Sequence, residues 1–373
     1  MTQSRLVVLA AGGTGGHVFP AEALAGELEA RGLGFALVTD ARGRQWQGAV
    51  SRRPIHYVRS ASPTGSLFRR LAAAFSLGLG LFDAWRALGR IGPSVVVGFG
   101  GYASVPTMLA ARLRRLPAMV HEQNAVLGRA NRLALAGVGR VATSFERTQY
   151  LAADDRRACL VGNPVREPVQ ALRDSPYRAP GDGRVIDLLV FGGSQGAASF
   201  SQVVPEAILS LPTALRARVR LVQQCRPEDI ARVRVRYTEA GIVAELASFF
   251  ADLPRRLAAA HLVIGRSGAS TVAELAAIGR PSILVPYPHA ADDHQAANAR
   301  AFEAMGACIV VPHISFTAAV LAAHLRFLFE APQRLAEMAA AAHAAGRPDA
   351  AARLADLVIE MAGLSPSPSG VAT

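Results

Sequence analysis

The 373-residue chain has no lysine; all 40 of its basic residues are arginine. Chemistry that starts at a lysine amine is therefore excluded: a pyridoxal Schiff base, a Walker A lysine, a biotinyl or lipoyl anchor. Cysteine is scarce. Cys159, Cys225 and Cys308 lie far apart and form no CxxC pair, so neither a disulfide framework nor a structural zinc site is expected, and a reducing compartment fits. Aromatics make up 6% and form no stripe interleaved with basic residues, which argues against a nucleic-acid partner. No stretch reaches the roughly 18 apolar residues of a spanning helix; the nearest, 71–82, stops at Asp83. The first apolar run is short and leads into glycines, so it reads as a buried strand rather than a signal peptide. There is no DxD motif, and the His and Asp residues of 289–298 fit no zinc spacing. No metal held by protein ligands is expected.

What is present suits a globular protein: 51% hydrophobic and 18% charged residues. At roughly 150 residues per domain, two domains are the default. The net charge of +12 reflects either an arginine-rich composition or an affinity for an acidic membrane surface or a polyphosphate. Apolar runs alternate with segments of helical period, the pattern of parallel βαβ units. Strands are predicted at 5–10, 35–39, 94–97, 118–121 and 140–143, then at 185–191, 218–223, 262–265, 282–286 and 308–311. Residues 162–184, dense in Pro, Gly and charge, read as a linker. The domains then span 1–163 and 164–347, and the tail 365–373 is expected to be disordered.

Four strand ends open into glycine-rich loops: GGTGGH (12–17), GFGGYAS (98–104), FGGSQGA (191–197) and GRSGAST (265–271). In doubly wound sheets, ligands bind at the carboxyl ends of the strands. Glycine loops there bring backbone N–H groups and a helix N-terminus to an anion, and a diphosphate near Ser194 would need no lysine. Each loop alone could be a tight turn. Four together favour a polyphosphate or sugar-nucleotide cleft. GGTGGH departs from GxGxxG, because the third glycine would fall at Val18. Asp40 at the end of the second strand nonetheless keeps a nicotinamide oxidoreductase as an alternative.

His17 begins the first helix, where imidazolium is disfavoured; a neutral ring there can accept a hydroxyl proton, or the residue simply packs. Thr271 and Glu274 match a capping box. Glu274 either caps that helix or accepts the two hydroxyls of a ribose. The polar runs HEQNAVLG (121–128) and HAADDHQAAN (289–298) read as cleft-facing loops. Gln295 and Asn298, three apart on a helix, can together hold a sugar. In 66–90, Phe75, Phe82 and Trp85 combine with Arg69, Arg70 and Arg86. The segment reads either as an interfacial helix on anionic lipid or as a sheet-packed helix with a solvated basic face.

Taken together, GGTGGHVFPAEALA, VVVGFGGYASVP, HEQNAVLGRAN, VGNPVR, VFGGSQGA, GRSGASTVAEL and HQAANA resemble, in order and spacing, the MurG-type transferases. Their full name is UDP-N-acetylglucosamine–N-acetylmuramyl-(pentapeptide) pyrophosphoryl-undecaprenol N-acetylglucosamine transferase. The resemblance runs from about Leu6 to Leu357. It implies an α/β fold of two Rossmann-like doubly wound domains facing a cleft, the GT-B architecture, with a last helix near 348–361 crossing back to the first domain. It implies inverting transfer of GlcNAc from UDP-GlcNAc to the muramyl 4-hydroxyl of lipid I, forming lipid II at the cytoplasmic face of the inner membrane by a peripheral enzyme.

The residues carried over are Thr14, Gly15, Gly16, Asn124, Arg166, Ser194, Phe250, Ala269, Ser270, Thr271, Val272, Ala273, Glu274 and Gln295 for UDP-GlcNAc; Asn298 and Arg266 join them from the reading of the residues. His17, Tyr102 and Glu122 are the polar candidates for acceptor chemistry, with His17 as base. Phe75, Phe82, Trp85, Arg69, Arg70 and Arg86 would meet the anionic membrane. No protein-held cofactor is implied; free Mg2+ would act only by pairing with the diphosphate. A sugar-nucleotide epimerase of the same architecture and a membrane-binding protein without chemistry are the other readings.

Overall fold

The computed structural model describes residues 6–12, 15–41, 43, 53–61, 66–181, 183–193 and 196–364; the side chains of 67–71 fall outside that description. Thr14, Ser194, the side chains of Arg69 and Arg70 and the tail 365–373 therefore lie outside the described residues. The chain forms two compact units. The first comprises Met1–Arg166 and Asp349–Thr373, the second Glu167–Pro348.

Among the described residues the first unit holds seven strands: β1 (Leu6–Ala10), β2 (Gly34–Thr39), β3 (Ile55–Tyr57), β4 (Val95–Gly98), β5 (Ala118–Glu122), β6 (Arg140–Thr143) and β7 (Ala158–Leu160). All pair in parallel, in the order β3-β2-β1-β4-β5-β6-β7. Central strands are buried on both faces, which is why they read as unbroken apolar runs. Alternation still sorts their side chains. Val7 and Leu9 enter one core with Leu24 and Leu28, whereas Val8 enters the other with Val96 and Met108. The first of these cores is completed from the far end of the chain. Helix Ala350–Ala362 contributes Leu354 and Val358, both fully buried, each stabilising by about 1.5–3 kcal/mol.

The second unit repeats the design with β8 (Ile186–Phe191), β9 (Val219–Gln224), β10 (Ala244–Ala247), β11 (Leu262–Gly265), β12 (Ser282–Leu284) and β13 (Cys308–Val310). The order is β10-β9-β8-β11-β12-β13, again all parallel.

Three strands escape the apolar-run reading: β3, β7 and β10. Each is three or four residues long, lies at a sheet edge and is partly exposed, so it carries no continuous apolar signal. β12 ends at Leu284 rather than 286, next to Pro286, which has no N–H for a ladder. The segment 162–184 is not a free linker. The units divide after Arg166, and the chain from Glu167 onward packs on the second unit. Val169 is fully buried, Arg173 Nη1 donates to the Ala277 carbonyl at 3.2 Å, and Tyr177 donates to the His261 carbonyl at 2.9 Å. Proline and charge here shape a packed connection.

In each sheet the strand order reverses direction once, between β1 and β4 and between β8 and β11. A crevice opens at such a point beyond the carboxyl ends of the strands. The four glycine-rich loops come directly after these four strands.

Candidate functional site

In the first unit the loops after β1 and β4 touch. Gly12 N donates to the Gly100 carbonyl at 3.2 Å. Gly100 and Gly101 take φ of +89° and +73°, a region open to glycine and costly for other residues. They also leave room for one ring. A Cβ at Gly100 would lie 3.2 Å from His17 Cε1, and one at Gly101 3.3 Å from His17 Cδ2. His17 is thus seated against Gly12, Gly100 and Gly101 in the first turn of helix Gly15–Ala30. Gly15 would press a Cβ against Phe19 at 3.2 Å, whereas Gly16 faces open space. Tyr102 comes next after the two glycines and is partly exposed.

The HEQN run divides its labour. His121 is fully buried, with Nε2 2.9 Å from the Gly162 carbonyl. Burial, chiefly, pushes its ring down to about 4, so it is neutral at pH 7. Gln123 is buried between His17 Nδ1 at 3.1 Å and His121 Nδ1 at 3.1 Å. Asn124 is half-buried and donates from its backbone and side chain to Glu122 Oε1, at 3.0 and 3.2 Å.

Glu122 does not take the role expected of it. It is 1% exposed, and its other oxygen, Oε2, accepts from Gly128 N and Asn131 Nδ2, both at 2.8 Å. A carboxylate with four donors has its lone pairs committed. It ties together the loop between β5 and helix Arg129–Ala134.

Arg166, the last residue of this unit before the chain crosses over, stacks its guanidinium 4.4 Å from the Phe19 ring. Near it Glu22 is pushed up to about 7, mainly by burial and against the pull of Arg166.

In the second unit, the loop after β8 is tied to β9 by a residue that no sequence motif marks. Gln224 accepts from Gly192 N at 3.0 Å and donates to the Gly193 and Ser248 carbonyls at 3.0 and 3.1 Å. A Cβ at Gly192 would meet Ala197 N at 2.5 Å, so the loop closes only with glycine. Helix Ala198–Leu209 comes directly after it.

Across the reversal point stands Arg266, 8% exposed. It donates to the carbonyls of Val285 and Pro286 and to Ser199 Oγ, each at 3.0 Å, over the rings of Phe200 and Tyr287. Burial lowers it to about 10, so it stays charged at pH 7. Among the described residues no carboxylate pairs with it. A buried cation whose partners are all neutral has charge left to meet an anion.

Helix Ala269–Ile278 starts from Gly268, whose φ and ψ of −61° and 149° are those of an N-cap. Thr271 and Glu274 are therefore its third and sixth residues, and the expected capping box is not formed. Glu274 is 5% exposed, one turn too far along to bond the helix start. Ala269 and Val272 point into the core, Thr271 and Ala273 are half-buried, and Ser270 Oγ is buried without a partner among the described residues.

Gln295 accepts from Tyr287 N at 3.0 Å, and its carbonyl receives Ser267 Oγ at 2.8 Å. Asn298 does not stand beside it as a second sugar ligand. It is fully buried and donates to the Ser267 carbonyl at 3.1 Å, holding the Arg266–Gly268 turn from behind. Phe250 is also buried, under the Arg256 guanidinium at 4.4 Å, so only its backbone can meet a ligand. Among the described residues no group of three or more His, Cys, Asp or Glu could hold a metal.

On helix Leu67–Ile91 of the first unit, Phe75, Phe82 and Trp85 are 70%, 53% and 43% exposed. Arg114 lies 4.1 Å from the Trp85 ring and Arg86 5.6 Å from that of Phe82. Among the described residues no helix is long and apolar enough to cross a membrane.

Comparison with known proteins agrees with this architecture. Residues 7–143 match the glycosyltransferase family 28 N-terminal domain and residues 187–354 its C-terminal domain. A Rhodospirillum centenum protein is 54% identical over 96% of this chain and 95% of its own length. One from Paramagnetospirillum magneticum is 52% identical over 99% of each chain. Both are named UDP-N-acetylglucosamine–N-acetylmuramyl-(pentapeptide) pyrophosphoryl-undecaprenol N-acetylglucosamine transferase. The crystal structure of Acinetobacter baumannii MurG superposes with a TM-score of 0.76 at 29% identity, covering 95% of this chain and 99% of that one. With both halves matched and identity above one half over nearly the whole length, this chain, two Rossmann-like units of GT-B architecture, belongs to the MurG family of glycosyltransferase family 28.

Proposed function

We propose that the chain transfers GlcNAc from UDP-GlcNAc to the muramyl 4-hydroxyl of lipid I, with inversion, to give lipid II. The names of its relatives supply the substrates. The observation that carries the chemistry is Arg266, a buried cation with neutral partners, which lies in one glycine loop and bonds Ser199 in the helix that follows another. In the reaction the acceptor oxygen bonds to C1 of GlcNAc as the bond from C1 to the diphosphate oxygen breaks. The electron pair leaves with UDP, whose negative charge grows. Arg266 and the N-termini of helices Ala198–Leu209 and Ala269–Ile278 meet that charge in a site of low dielectric, where it counts most. The proton lost by the acceptor hydroxyl goes to His17. Gln295 and the backbone of 269–274 orient the donor, and Glu274 takes the ribose. Free Mg2+ acts only by pairing with the diphosphate.

The aromatic face of Phe75, Phe82 and Trp85, with the arginines beside it, seats the enzyme peripherally on the anionic cytoplasmic face of the inner membrane, where the lipid acceptor resides. Transfer of radiolabel from UDP-GlcNAc to a short-chain lipid I analogue, in EDTA and then with Mg2+, tests the whole reading. Labelled lipid in EDTA is expected. Label only with Mg2+ would overturn the account of the diphosphate. Release of free GlcNAc or an epimer, with no labelled lipid, would overturn the transferase.

A further inference from the structure

The amide of Gln123 can point only one way. Its Nε2 lies 3.0 Å from the Phe99 carbonyl and 3.0 Å from the His121 carbonyl. Carbonyl oxygens only accept, so that end must be the NH2 group; flipped, the amide oxygen would face both. The other end, Oε1, is therefore an acceptor, and it stands 3.1 Å from His17 Nδ1. The bond exists only if Nδ1 carries the hydrogen. The far side of Gln123 agrees. His121 Nε2 faces the Gly162 carbonyl at 2.9 Å and must donate, which leaves His121 Nδ1 as a lone pair toward Gln123 Nε2 at 3.1 Å. The two hydrogens of Gln123 Nε2 serve three acceptors, so one is shared, and with that sharing a one-way chain of donors runs from His17 through Gln123 and His121 to Gly162.

The ring cannot evade this by turning over, because a half-turn would set Cδ2 against the amide oxygen and lose the bond. Gly12 and Gly101 lie along the Cδ2 edge of the ring and Gly100 along its Cε1–Nδ1 edge.

We infer that Gln123 is a positioning residue: it keeps the proton of His17 on Nδ1, so that Nε2 is the atom that receives the proton of the acceptor hydroxyl. The inference rests on the reading of His17 as base. Its chemistry differs from that of a carboxylate partner. A neutral amide oxygen sets the tautomer without adding a full charge to hold an imidazolium, so Nε2 sheds its proton readily after each turnover.

The test is long-range proton–nitrogen correlation on the full-length protein with histidine-labelled nitrogens, His17 being assigned by its loss in His17→Gln. The wild-type ring is expected as the Nδ1–H tautomer. In Gln123→Met the Nε2–H form should become the major one, with kcat reduced about tenfold to a hundredfold and donor KM unchanged. A wild-type Nε2–H ring, or a Met variant with its tautomer unmoved, would overturn the inference. The first of these needs no variant to fold. If the tautomer shifts in Gln123→Met while kcat does not, the positioning role stands and the base role of His17 falls.

Discussion

Replacing Glu122 by glutamine should cost stability first and chemistry second. The carboxylate accepts four hydrogen bonds, two on each oxygen. In the Gln variant one oxygen becomes an NH2 group that faces two donors, and both of those bonds are lost. The amide will turn its nitrogen toward the Asn124 side, where the bonds are longer and half-exposed. Bonds to a charged acceptor contribute about 1.5–3 kcal/mol each, so the variant should lose roughly 3 kcal/mol, the low end of that sum. For a unit of this size that is about 6–12 °C in Tm. Differential scanning calorimetry reads the loss directly. Transfer well below the new midpoint should fall by less than about tenfold, because removing a general base costs 10²–10⁴-fold and no base is being removed. A variant that melts like wild type and transfers a thousandfold more slowly would refute this, and would return Glu122 to the acceptor chemistry.

Three further outcomes rest on the same two units. His121, about 4 folded against an ordinary 6.5, contributes stability that is full above about pH 6.5 and falls away as the pH drops toward 4. The loss is about 3 kcal/mol. Urea melts at pH 7 and pH 4.5 should show it in wild type and not in His121→Gln, and the opposite contribution of Glu22 cancels in that difference; equal pH slopes in the two proteins would refute it. Arg266→Gln should cut kcat about 10²–10³-fold, the range for one lost transition-state donor, and weaken UDP binding; kinetics within threefold of wild type would show that the diphosphate is held elsewhere. Phe75→Ser with Phe82→Ser should weaken sedimentation with anionic vesicles about 30-fold or more, from lost apolar burial, and leave transfer to a water-soluble acceptor analogue unchanged; undiminished vesicle binding would place the membrane contact on another face.

Central strands such as β1, β4, β8 and β11 were legible because burial on both faces leaves a local apolar signature, and the glycine loops could be placed from them. Edge strands left none. The loops' pairing across the two reversal points depends on strand order, which emerges only once the sheets form. Local pattern misled most where a side chain's partners are distant or where backbone angles decide. Thr271 and Glu274 carry the spacing of a capping box, but Gly268 starts the helix three residues before Thr271. HEQN stood out as polar, yet nothing within it says that Glu122 is consumed by Gly128 and Asn131 while Gln123 turns toward His17. Gln224 lacked any motif; its place at the end of β9 beside Gly192 was the signal available.

The closing of the first core by helix Ala350–Ala362 has a consequence for synthesis on the ribosome. The residues that await this helix, Leu24 and Leu28 among them, are made at the start, and about 180 residues of the second unit come between. At 5–20 residues per second that interval is roughly ten seconds or more. Throughout it the nascent first unit presents an unsealed apolar face while the second unit, contiguous in the chain, can complete itself. The unit made first is the one finished last, and a nascent chain halted before residue 350 exposes the surface that chaperones and proteases recognise.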